Sequence, residues 1–142
     1  SAHVIGDVHV GSNSSVWYQS VVRGDVNKIR IGETSNIQDR VIIHVASFHK
    51  KIATHIGSKV TVEGGAILHA CTLEDESFVG LGATVLDDAK IGYQAMIAPG
   101  SLIVPGTVVP EGEVPFSPRQ HPGLTHGAAV GRNPRQVRSE AV

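Results

Sequence analysis

The sequence is short of the residues that organise most compact domains. It has one cysteine, Cys71, which excludes an internal disulfide framework and a zinc finger and leaves a buried structural thiol as the expected state. Phe, Trp and Tyr together number only six, and charged residues make up 18%, against about 25% in an ordinary soluble domain. Twelve Lys and Arg face thirteen Asp and Glu, so a formal net charge of -1 provides no global field for nucleic acid or an anionic membrane. No apolar run approaches the ~20 residues of a membrane span, because Gly, Asp, Ser or His interrupts each one. The chain opens on Ser1-Ala2 rather than Met and reads as processed or incomplete, with any targeting signal out of view. What the 142 residues do have is sixteen glycines and a large aliphatic fraction, an odd mixture for a helical or Rossmann-type domain.

The aliphatics return every six positions. Leu73, Val79, Val85, Ile91, Ile97, Ile103 and Val109 are seven successive hits in one phase. With 41% of the chain apolar, chance gives that run odds of about one in five hundred in a chosen phase. Four residues after the aliphatics come Ser77, Ala83, Ala89, Ala95, Ser101 and Thr107, all small. Upstream the register continues through Val4, Val10, Val16 and Val22, then Ile31, Ile37 and Ile43, then Ile56, Val62 and Leu68. Six is neither a helical period nor the period of two of a long strand, so each hexad is a short strand followed by a turn. Three hexads close a triangular coil, with the aliphatic residue in the middle of a face and the small one near a corner. A β-sandwich would instead require polar and apolar alternation with hairpin turns.

Three steps break the register, and a solenoid accommodates irregularity where a loop can leave the prism. The step from Val22 to Ile31 is nine residues and carries Arg23-Gly24-Asp25; from Ile43 to Ile56 it is thirteen and carries His44, His49 and His55; from Leu68 to Leu73 it is five and carries His69-Ala70-Cys71. The repeat domain is expected over 1–114. All seven prolines lie between Pro99 and Pro134, and 115–142 reads as a Pro/Gly-rich extension in which Gly131 to Arg138 can start a short terminal helix.

His44 and His69 each follow an inward aliphatic, Ile43 and Leu68, so both are expected to point outward. They stand 25 residues apart, one coil of eighteen plus the long insertion, close enough to meet on the surface. Imidazoles on rigid strands suit zinc, but structural zinc takes four ligands and catalytic zinc three plus water. On spacing alone the pair reads either as part of a metal site or as polar surface or interface histidines.

The runs Val21-Val22-Arg23-Gly24-Asp25-Val26-Asn27, Asn36-Ile37-Gln38-Asp39, Ile42-Ile43-His44-Val45 and Val60 through Thr72 resemble, in order and spacing, the γ-class carbonic anhydrase family. The resemblance covers residues 3 to 114, with a fragmentary echo at Gly131 to Arg138. It implies an all-β, left-handed parallel β-helix of hexapeptide repeats, and it implies a trimer in which each zinc lies between neighbours and takes three histidines. By position, His44 and His69 match the two ligands that one subunit gives to a site. Gln38 matches a residue that hydrogen-bonds the metal-bound species, while Arg23, Asp25 and Asp39 match positions of catalysis or interface ion pairing. Acidic proton-shuttle residues of some members have no match, which leaves His49 as the one shuttle candidate.

The third ligand position, five residues before His69, is Gly64, and glycine has no side-chain atom to coordinate zinc. Zinc is therefore expected only at an interface where a neighbour supplies the missing histidine, with His49 or His55 as less favourable substitutes from a loop. Ligand-deficient members of this kind resemble the carbonic-anhydrase-like subunits of a heterotrimeric domain of mitochondrial respiratory complex I. The implied role is mainly structural or in assembly, beside homologous γ-carbonic-anhydrase subunits and membrane-arm subunits, on the matrix side of the inner membrane. Two alternatives remain open. One is an active zinc carbonic anhydrase completed by a neighbour; the other is a hexapeptide acyltransferase with a histidine base and coenzyme A, against which the Arg-Gly-Asp and Asn-Ile-Gln-Asp motifs argue.

Overall fold

The computed structural model describes residues 1–46, 52–115 and the backbone of 130–132. Short parallel strands stack into a β-solenoid of about six turns, and no helix occurs among the described residues. Three core columns run the length of the prism, each made of residues that pair Cα to Cα between successive coils. Val22, Ile43, Leu68, Val85 and Ile103 form the first; Ile31, Ile56, Leu73, Ile91 and Val109 the second; Val16, Ile37, Val62, Val79 and Ile97 the third. These are the aliphatics of the six-residue register and, apart from half-buried Val16, they are buried. Each fully buried side chain of this kind contributes about 1.5–3 kcal/mol. The small residues Ser77, Ala83, Ala89, Ala95 and Ser101 are buried at the corners, where the chain turns too tightly for a larger side chain.

Each regular corner uses the same backbone device. The third residue after the core aliphatic has positive φ, as in Gln19 (60°), Arg40 (59°), Gly65 (70°), Gly82 (63°) and Gly100 (68°) between the third and first faces. Left-handed backbone costs an L-residue roughly 1–2 kcal/mol, so coil closure by the ladders above and below must outweigh it at each non-glycine corner.

All three irregular steps fall on one prism edge, where the chain passes from the first face to the second. Two of them depart from sequence expectation or complete it in an informative way. Arg23 to Arg30 is not a loop leaving the prism: Val21–Ile31 is one strand that bends round the edge, pairs with His3–Val10 along its outer side, and joins the first two faces into one sheet. Glycine permits this bend, since a Cβ on Gly6 (φ 83°) would lie 2.3 Å from the Gly24 carbonyl oxygen. At the five-residue step, Ala70 takes positive φ (49°) one position early, which closes a corner one residue short. Residues 47–51 of the thirteen-residue step, which include His49, lie outside the described residues.

Val4 departs from the expected inward row. It pairs with Val22 but is 51% exposed, because among the described residues no coil covers that end of the stack. At the other end, Glu113–Pro115 pairs antiparallel with Val130–Arg132, so the expected repeat boundary at 114 falls inside a strand. That pairing also corrects the terminal helix at its start: Gly131 and Arg132 are in extended backbone held by Val114 and Glu113, and the remainder of the segment lies outside the described residues.

Candidate metal site

The site candidates separate onto the two edges of the first face. On the edge shared with the second face, the strands Ile42–His44 and Ile67–His69 end in their histidines, directly opposite one another in the ladder. Their rings are 5.4 Å apart, centroid to centroid, and both are half-buried. The bend in Val21–Ile31 brings Arg23 and Asp25 over His44 from the preceding coil. Arg23 Nη2 is 3.0 Å and Asp25 Oδ1 3.2 Å from His44 Nε2, and Arg23 Nε pairs with Asp25 Oδ2 at 3.2 Å. One imidazole nitrogen cannot accept from the guanidinium and donate to the carboxylate at once, so the tautomer of His44 decides which bond is made. Desolvation pushes the Asp25 carboxyl up, but the His44 hydrogen bond and the Arg23 charge outweigh it and hold it below the usual range.

His69 is held from the following coil. Its Nδ1 contacts Asp87 Oδ1, and since an ionised carboxylate only accepts, the imidazole donates. Sequence reading missed Asp87. The signal was there in its position on the following coil, second after the core aliphatic Val85 and eighteen residues after His69.

Gln38, Asp39 and Gly64 are not brought to this edge. They lie on the other edge of the first face, where the Gln38 N–H donates to the Val62 carbonyl and Asp39 Oδ1 accepts from the Tyr18 N–H at 3.0 Å. His55 belongs to the second face, in register with Arg30 and Thr72, and is not in the histidine column. The expectation that His55 swings in from a mobile loop is therefore corrected: it is held in the strand Thr54–Ile56. Within one subunit, then, Arg23, Asp25, His44 and His69 assemble, while Gln38, Asp39 and position 64 lie at the corner on the opposite edge of the first face.

Two imidazoles suit zinc in kind and fall short in number. Among the described residues no group of three or more His, Cys, Asp or Glu side chains is arranged to hold a metal, and Gly64 offers no donor. Among the described residues one chain brings together two imidazoles, against the three or four ligands that zinc takes. Cys71 does not repair the deficit, since its thiol is buried and pushed up to about 12 by desolvation, far from the thiolate that a metal requires.

Gly64 is not demanded by the backbone. It occupies the second position after a core aliphatic, in a corner column whose other members are Tyr18, Asp39, Leu81 and Pro99, and its φ is not left-handed. The left-handed seat belongs to its neighbour Gly65. A Cβ at Gly64 would meet only the Asp39 carbonyl oxygen at 3.2 Å and Leu81 Cδ1 at 3.7 Å, so a side chain fits with a shift of a few tenths of an ångström.

No family model matches the chain. It is 50% identical over 117 residues to gamma carbonic anhydrase 2, mitochondrial, of Arabidopsis thaliana, a match covering 80% of this chain and 42% of that protein. It is 48% identical over 84 residues to a probable carbonic anhydrase of Methanocaldococcus jannaschii, covering 59% and 51% of the two chains. The chain thus spans about half, or less, of the curated relatives it matches. Among solved structures, a hexapeptide transferase family protein from Anaplasma phagocytophilum superposes with a TM-score of 0.77 at 40% identity, covering 93% of this chain and 75% of that one. With the six-residue register and the paired histidines, these likenesses place the chain in the γ-carbonic-anhydrase family of hexapeptide-repeat proteins.

Proposed function

We infer that the chain is a γ-carbonic-anhydrase-like subunit of a heterotrimeric domain of mitochondrial respiratory complex I, with a mainly structural or assembly role and an incomplete zinc site. Gly64 carries this reading. The fold accepts a side chain at that corner, and the neighbouring coils all have one, so the missing donor has no cause in the backbone. The first face supplies the docking surface. Its outward row includes Ile42 and Ile67, which are 45% and 39% exposed, and Leu81 at 60% stands on its edge. Because the two halves of the ligand set lie on opposite edges of that face, one copy meets two neighbours with different chemistry: it presents His44 and His69 to one and Gly64 to the other.

A neighbour with histidine at the position of Gly64 would complete the first interface and leave the second void. Mitochondrial placement is supported by the Arabidopsis relatives, which are named as mitochondrial gamma carbonic anhydrases. No helix among the described residues is long and apolar enough to cross a membrane, which suits a peripheral attachment to membrane-arm subunits.

The second reading, an active zinc carbonic anhydrase completed by a neighbour, is favoured by the retained histidine pair in register with its charged partners. Zinc content and carbon dioxide hydration distinguish the two. The structural reading requires a trimer of this chain alone to bind substoichiometric zinc and show background hydration; stoichiometric zinc with full activity would overturn it. Co-assembly with a histidine-bearing homologue, followed by metal analysis per interface, tests the second.

A further inference from the structure

We propose that Asp87 is the positioning residue of His69, fixing its neutral imidazole as the Nδ1–H tautomer so that Nε2 is the ring's one lone pair open to an incoming donor or metal. The inference rests on the reading of His69 as half of a shared site and deepens it, but its geometry belongs to this chain alone.

The argument begins with the ladder. Ile67–His69 pairs with Thr84–Val85 on the next coil, so the corner after Val85 lies directly beside the corner after Leu68. Asp87 is the second residue of its corner, and its backbone is fixed there because its carbonyl accepts from the Gly106 N–H at 2.8 Å. Asp88 follows with the left-handed φ of 58° that closes the coil. The carboxylate is thus carried by a backbone held on both sides and reaches His69 Nδ1. No other hydrogen bond to that ring is found among the described residues, so a single carboxylate decides which nitrogen bears the proton. A carboxylate behind a ligating imidazole orients the ring and raises its basicity.

The partner histidine is set differently. His44 Nε2 is already engaged by Arg23 or Asp25, at 3.0 and 3.2 Å, whereas no hydrogen bond to Nε2 of His69 is found among the described residues. The two imidazoles are therefore unequal donors. His69 is ready to accept without rearrangement, and His44 must first release whichever of Arg23 and Asp25 its tautomer engages.

The test reads the ring directly, without metal or partner. In protein labelled with nitrogen-15 in histidine, at alkaline pH, two-bond nitrogen–proton correlations report the tautomer of each ring. The expected result is His69 in the Nδ1–H form in the unaltered chain, loss of that form in Asp87→Ala, and its partial return in Asp87→Asn, which keeps an accepting oxygen. Unchanged thermal unfolding in the two variants excludes a general structural effect, since Asp87 is on the surface. Finding His69 in the Nε2–H form in the unaltered chain, or the same tautomer in Asp87→Ala, would overturn the proposal. Either result is independent of zinc content or subunit composition, so this inference and the complex I reading can fail separately.

Discussion

His44 and His69 are Cα partners in the ladder between adjacent coils, with ring planes tilted by 49°. Two rigid strands therefore hold two nitrogen-bearing rings in fixed relation before any ligand arrives, and little side-chain freedom is left to be lost. The third position of the set lies across the same face at Gly64.

Gly64→His restores a donor at a corner that has room for a Cβ. In a trimer made only of this chain, zinc affinity is expected to rise by at least about tenfold, the lower end of what even an outer partner of a ligand contributes. Equilibrium dialysis against a competing chelator measures it. An unchanged affinity would mean that the edges of adjacent subunits do not meet as the family resemblance implies.

Ile42→Asp or Ile67→Asp places a charge in the outward row of the first face and leaves the core columns untouched. The expected outcome is a folded protomer that no longer associates, read by light scattering with an unchanged strand signal in circular dichroism. Persistent association of the variants would move the proposed interface to another face.

Leu68→Ala empties a fully buried position in the middle of the first core column. The expected loss is about 2–5 kcal/mol, read by denaturant unfolding. Because each coil touches only the coils above and below it, the loss is expected to lower the cooperativity of the transition as well as its midpoint.

Thr34 holds a β-branched side chain at φ 57°. Thr34→Gly removes roughly 1–2 kcal/mol of left-handed strain and adds about 0.5–1 kcal/mol of backbone entropy, for a net gain of about 0–1.5 kcal/mol. Gly65→Ala, at φ 70°, is expected to shift stability in the opposite direction.

The Cys71 thiol is pushed up to about 12 by burial, so folding favours its protonated form. Its contribution to stability is complete below the ordinary thiol range and is lost as pH rises from there toward about 12, where the folded state also ionises. Alkylation of native protein near neutral pH should be negligible and should track unfolding, and Cys71→Ala should flatten the alkaline decline. Rapid labelling of the native thiol would contradict the burial.

The core was legible because burial in a solenoid repeats. A side chain at the centre of one face has an equivalent in each coil, and six-residue spacing carries that information without any knowledge of distant contacts, which is why Leu73 through Val109 matched position for position. The long step at Arg23 was misread for the converse reason. A nine-residue gap looks like an excursion, and only the pairing of His3–Val10 with Val21–Ile31 turns it into a bent strand. Asp87 was missed because it has no motif of its own; it is defined by lying one coil below His69. Gly64 was the reverse, visible from the family pattern, while the room for a side chain there emerges only from its column of neighbours.

Because the irregular steps share a single edge, coil length is a separate variable from coil chemistry. The first-face core residues are separated successively by 21, 25, 17 and 18 residues, yet they stack without slipping register. Residues can thus be added or deleted along that seam while the remaining two corners keep their spacing, so the histidines and the groups around them can be raised, lowered or shielded by changes in segment length alone.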